Sequence, residues 1–121
     1  MDSNVYKILT IDEWENAQKN NLISTSLDNK DGFVHLSNTK QLAVTLALYF
    51  SDQDRVALLL IDAESVREAL VYEKTKPGLK RSGEFPHFYG DLKISHITKF
   101  WILERKALEI PEEIILDLEI S

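Results

Sequence analysis

Hydrophobic and polar positions alternate in short stretches, broken by segments of helical period. Val5 to Ile11 places Tyr6, Ile8 and Thr10 on one face and Val5, Leu9 and Ile11 on the other, the period-two pattern of a strand. Asp12, with Glu15 three residues on, predicts a capped helix that carries Trp14 and Ala17 and ends at Asn20-Asn21. Leu22 to Ser26 is a short, hydroxyl-rich, edge-like segment, and Asp31-Gly32 is a turn signal. Phe33 to Ser37 resumes period two, with Phe33, His35 and Ser37 facing one way and Val34 and Leu36 the other. Asn38 or Thr39 then caps a helix reaching about Phe50, with an apolar stripe of Leu42, Ala43, Leu46, Ala47, Tyr49 and Phe50.

Arg55 to Ile61 predicts a buried strand. Asp62 caps a short helix through Leu70, and Val71 to Lys74 is a further strand. Residues 75–91 read as a loop and His96 to Glu104 as a strand, with Trp101 and Leu103 on one face and Phe100 and Ile102 on the other. The segment 111–121 fits a helix start at Pro111 or an alternating strand. These elements predict one compact α+β domain over residues 1–121, with five to seven strands and two or three short helices. Strands are not regularly separated by long helices, so the sheet is expected to be mixed or mostly antiparallel rather than doubly wound.

Size and composition narrow the chemistry. A chain of 121 residues with 44% hydrophobic and 28% charged residues buries enough surface to fold without a disulfide or a metal. There is no cysteine, which removes thiolate chemistry, and the three histidines lack metal-ligand spacing, so no metal is expected. The longest apolar run, Val56 to Ile61, is far shorter than a membrane span, and the start Met-Asp-Ser-Asn shows no leader pattern. Together these predict a cytoplasmic protein with no membrane partner. The net charge is −6: five of the twenty acids lie between Glu109 and Ser121, leaving fifteen against fourteen bases elsewhere. The acidic tail speaks against duplex nucleic acid as a partner and leaves a small anionic ligand open.

Two motifs concentrate the unusual residues, Asp-Gly-Phe-Val-His-Leu-Ser at 31–37 and Phe-Pro-His-Phe-Tyr-Gly at 85–90. On the first, Phe33, His35 and Ser37 would form an aromatic, imidazole and hydroxyl wall able to stack a ring and bond its polar edge. In the second, Pro86 and Gly90 constrain the backbone on each side of His87 and Tyr89. Between them, Gly78, Gly83, Pro77, Lys76, Lys80 and Arg81 make 75–91 a candidate functional loop, in which Lys80 and Arg81 suit phosphate. Glu73 is a candidate general base or ribose ligand. Each residue also has a structural reading: a core histidine at His35, a hydrophobic plug at Phe88, a surface ion pair at Glu73, a solvated loop at 75–91. His96, which has no partner motif, reads as structural.

The two blocks, with Val5-Tyr6-Lys7-Ile8, Trp14-Glu15, the strand 56–61 and Tyr72-Glu73, resemble a family of bacterial and plant proteins known as domain of unknown function 952. The departures are small: Val34 where Ile is frequent, Phe88 where Leu is usual, and Tyr72 where Trp is common. The resemblance implies a fold similar to ADP-ribosyltransferases, a split barrel-like core that grips NAD. By that resemblance His35 and Ser37 would line a nicotinamide–ribose pocket and Tyr89 or Phe88 would pack on the ring. Glu73 or Glu104 would supply the carboxylate, Glu73 being preferred. The implied catalytic set is His35, Glu73 and His87; the implied ligand-binding set is Phe33, Ser37, Lys80, Arg81 and Tyr89. NAD is the implied cofactor, a small nucleotide or other anion the implied partner, and a glycosyl or ADP-ribosyl-type transfer the implied activity. A non-catalytic ligand-binding or interaction domain with structural histidines stays open.

Overall fold

A computed structural model of the chain describes residues 4–74 and 84–104. Strand β1 (Val5–Thr10) is buried on both faces: Val5 and Leu9 enter one apolar cluster, Tyr6 and Ile8 the other. Helix α1 (Ile11–Asn20) follows without a loop. Its cap is Thr10, not Asp12. Thr10 Oγ1 accepts from Glu13 N at 3.1 Å and Glu13 Oε1 accepts from Thr10 N at 2.8 Å, so the same spacing operates two residues earlier and Ile11 joins the helix. Asn21, in the left-handed region at φ 56°, ends it.

The hydroxyl-rich segment is edge-like only at its start, where Leu22 bridges Lys93 and Ile23 N donates to Leu92 O at 2.7 Å. Thr25 Oγ1 accepts from Asp28 N at 3.1 Å and starts helix α2 (Ser26–Asp31), which Gly32 closes at φ 82° by donating to Asp28 O. The turn expected at Asp31-Gly32 is thus a helix end. With α3 (Leu42–Tyr49) and α4 (Ala63–Val66), the described chain holds four short α-helices rather than two or three.

The strand expected at Phe33–Ser37 is two, β2 (Val34–His35) and β3 (Ser37–Asn38), broken at Leu36. Pro86 explains the break. Leu36 N donates to Pro86 O at 3.0 Å, so the position where Pro86 lacks an N–H faces Leu36, and the ladder cannot continue. The chain therefore leaves one sheet and joins the other. After a turn in which Asn38 and Gln41 cap each other, α3 follows. Leu42, Thr45 and Leu46 are its buried residues, while Ala43, Ala47 and Tyr49 face outward. A helix apolar nearly all round does not announce its inner face by period alone.

Strands β4 (Arg55–Ile61), β5 (Leu70–Lys74), β6 (Glu84–Phe88) and β7 (Ile97–Glu104) complete the set. Part of the expected loop at 75–91 is thus a strand; residues 75–83, with Lys80 and Arg81, and the segment 111–121 lie outside the described residues. Two sheets result, in the orders β3-β1-β4-β7 and β2-β6-β5, and every pairing is antiparallel. One apolar cluster, including Leu59, Trp14, Val34 and Phe88, ties the two sheets and α1 together. The second, around Tyr6, Leu42 and Leu58, lies under α3. Fully buried side chains such as Leu9 and Leu59 each contribute about 2 kcal/mol to this packing. No helix among the described residues is long and apolar enough to cross a membrane.

Candidate functional site

β3 pairs with β1 only at Val5 and Tyr6. From Lys7 onward that edge of β1 is open to a cleft of about 720 Å³, and Lys7, Ile8 and Thr10 line it. The cleft reaches the seam between the two sheets, where β2 and β6 bring the two sequence motifs side by side with His35 directly opposite His87.

On one side of the seam, α2 presents Asp28 and Asp31, one turn apart. Asp28 Oδ1 lies 2.6 Å from His35 Nδ1 and accepts from the His35 backbone N at 3.0 Å. Asp31 Oδ2 lies 2.9 Å from His35 Nε2. A carboxylate only accepts, so both contacts are hydrogen bonds together only when both ring nitrogens carry a proton. Lys7 Nζ sits 2.8 Å from Asp28 Oδ2, an ion pair whose approach is not aligned as a hydrogen bond, and donates to His35 O at 3.0 Å. Lys7 and Asp28 are both almost fully buried. Burial pushes the Asp28 carboxyl up, but the His35 hydrogen bond and the Lys7 charge outweigh it and hold the group at about 2, against an ordinary 3.8.

On the other side, Glu73 of β5 lies diagonally across from His87 of β6, within side-chain reach. Glu73 Oε1 is 2.9 Å from His87 Nδ1 and accepts from Tyr89 OH at 2.6 Å. The Tyr89 and His87 hydrogen bonds lower the Glu73 carboxyl, and the bond to Glu73 raises the Tyr89 phenol. Phe33 joins the sides: its ring stacks on His87 at 4.1 Å and tilts against His35 at 4.6 Å and Tyr89 at 5.3 Å. The two imidazoles themselves are 5.5 Å apart. Deeper in the cleft, the Ser37 and Thr45 hydroxyls are 3.0 Å apart.

Six of the residues singled out in the sequence, Phe33, His35, Ser37, Glu73, His87 and Tyr89, therefore line one cleft. Lys80 and Arg81 lie outside the described residues. Phe88 is a core residue, which leaves Tyr89 as the ring in the cleft, and Glu104 ends β7 opposite Arg55, away from it. His96 Nδ1 accepts from Lys93 N at 2.9 Å at the start of β7. Lys7, Asp28 and Thr45 are not among the candidates the sequence offers, and Asp31 stands there only as the turn residue that opens the first motif. Lys7 carried a signal: it shares the core-facing side of β1 with Val5 and Leu9, where a lysine needs a buried partner. Among the described residues no group of three or more His, Cys, Asp or Glu is arranged to hold a metal ion.

The sequence profile of a family described as "Protein of unknown function (DUF952)" matches residues 8–100. A crystal structure of protein CC0527 from Caulobacter crescentus is similar, with a TM-score of 0.75 and 34% identity over 84% of this chain and 87% of that one. The solution structure of CC0527 superposes with a TM-score of 0.71 at 34% identity, covering 84% of each chain. No curated protein matches.

Proposed function

The chain belongs to the DUF952 family, and from that premise we propose that its cleft binds a nucleotide of the NAD type and acts on the bond between the ribose and its base. The observation that carries this reading is the convergence of Phe33, His35, Glu73, His87 and Tyr89 on one cleft of about 720 Å³, a size within the range of roughly 300–1,000 Å³ typical of small-molecule sites. Aromatic and imidazole rings suit a planar base, and Lys30 and Lys74 on the cleft lining suit phosphates. Lys80 and Arg81, a few residues beyond β5 in the chain, extend the same role.

The chemistry asked of the residues is limited. As the base leaves with the bonding electron pair, positive charge grows on the ribose, and a nearby carboxylate stabilises it. Glu73 is kept ionised, and neither of its two bonds uses Oε2. A water or hydroxyl acceptor then attacks the ribose carbon, and its proton passes to the Glu73–His87 pair. A second reading, binding without turnover, is favoured by a specific observation: both ring nitrogens of His35 are engaged within the protein. Calorimetric titration with NAD, paired with an assay for released nicotinamide, separates the two. Under the first reading the wild type releases nicotinamide and Glu73→Gln binds without release. Binding with no release by either protein would select the second, and no heat at millimolar NAD would overturn both.

A further inference from the structure

Ser37 opens β3 and Thr45 lies in the middle of α3, so the only contact between their hydroxyls is made across two elements that the fold brings together. Both residues are more than nine-tenths buried, 3% and 8% exposed, and both line the cleft. The hydrogen count there does not balance. Two hydroxyls bring two O–H hydrogens, and the contact between them uses one. Neither hydroxyl bonds any other described residue. Whichever of the two is the donor, one hydrogen is left at the cleft wall with no acceptor from the described protein, and a buried donor left unmade is costly. The acceptor must come from whatever fills the cleft.

The surroundings define that acceptor. Tyr6, Ile8, Leu36 and Phe50 share the lining, and the Lys7 ammonium, on the strand that pairs with β3, is engaged by Asp28 and the His35 carbonyl. An ionised group would meet little compensation among apolar neighbours, whereas a neutral oxygen would need only the one donor. We infer that Ser37 and Thr45 form a neutral donor subsite for a carbonyl or carboxamide oxygen of the ligand, with Thr45 a specificity-determining residue. The inference rests on reading the cleft as a small-molecule site, and it deepens that reading by naming the group the inner end selects.

The test uses two fragments that differ in the acceptor, nicotinamide and 3-methylpyridine, titrated into the full chain by proton–nitrogen NMR. In the wild type, nicotinamide perturbs the amides of Ser37 and Thr45 and binds about tenfold more tightly, the worth of one hydrogen bond. In Thr45→Val the preference falls to within about twofold, and in Thr45→Ser it returns. A ligand-free arm compares melting temperatures: Ser37→Ala/Thr45→Val removes both hydroxyls of the pair and melts no lower than either single variant. Equal affinity for the fragments in the wild type, a preference that survives in Thr45→Val, or no response at residues 37 and 45 overturns the subsite. So does a double variant that melts below both singles, which would make the hydroxyl pair a structural strut. Fragment preference without NAD binding keeps the subsite and removes the nucleotide; NAD binding untouched by Thr45→Val does the reverse.

Discussion

The two histidines of the cleft are neighbours across a two-residue ladder, yet their supports differ. His35 is clamped at both ring nitrogens by carboxylates of α2, and the inner one, Asp28, is buried and paired with Lys7. His87 is buried itself, but its carboxylate, Glu73, has a side chain 39% exposed and shares an oxygen with the solvent-reaching Tyr89. A buried, charge-paired cluster is expensive to disturb, whereas an exposed relay is cheap to disturb and free to exchange protons. The His35 side is therefore the costlier of the two to disturb, and under the proposed function the chemistry falls to the His87 side.

The largest effect should come from breaking the buried side. Asp28→Ala strands Lys7 without its counter-charge and frees both His35 donors, and should cost about 3 kcal/mol or more in urea unfolding. Lys7→Met, which removes the charge that needs a partner, should cost less than Asp28→Ala. The reverse order would assign the stabilisation to Lys7 packing rather than to the ion pair.

Acid comes next. The Asp28 carboxyl falls from 3.8 to about 2 on folding, so the folded state favours the ionised form. Its stabilisation, about 2 kcal/mol, is complete above pH 4 and is lost as pH falls from about 4 towards 2. Stability measured across that window should decline in the wild type, and more shallowly in Asp28→Asn. Matching slopes would remove Asp28 from acid unfolding.

Gly32→Ala should cost about 1 kcal/mol, because Gly32 sits at φ 82° with open space where a Cβ would stand, so backbone strain alone acts. A cost near zero would mean that α2 ends differently in solution. The smallest stability effect belongs to the exposed relay. Glu73→Gln and Tyr89→Phe should leave the melting midpoint within error while lowering turnover about a hundredfold or more for Glu73→Gln, the scale of losing one charge-stabilising group. A large shift in the midpoint would make the relay structural.

How far these features could be read in the sequence follows from their physics. The strands β1 and β7 were legible from their alternation, and β4 from its continuous apolar run. His35, Glu73 and His87 were legible one by one as candidates, but their meeting in one cleft was not, because the β2–β6 pairing and the Glu73–His87 contact are made by the fold. Helix α2 was not, because six residues of Ser, Leu, Asp, Asn and Lys carry no apolar stripe; only Thr25 and Gly32 mark its ends. The break at Leu36 was hidden because its cause, the missing N–H of Pro86, lies fifty residues away in the chain. The Lys7–Asp28 pair and the Ser37–Thr45 pair are likewise made by tertiary contact, and no local spacing announces either.

The most direct test of a single ligand cleft shared by the two histidine arms is a proton–nitrogen NMR titration of the whole chain with NAD. Residues 28–37 and 84–90 should shift together along one saturation curve. No shift at millimolar NAD, or shifts confined to one arm, would contradict a common site.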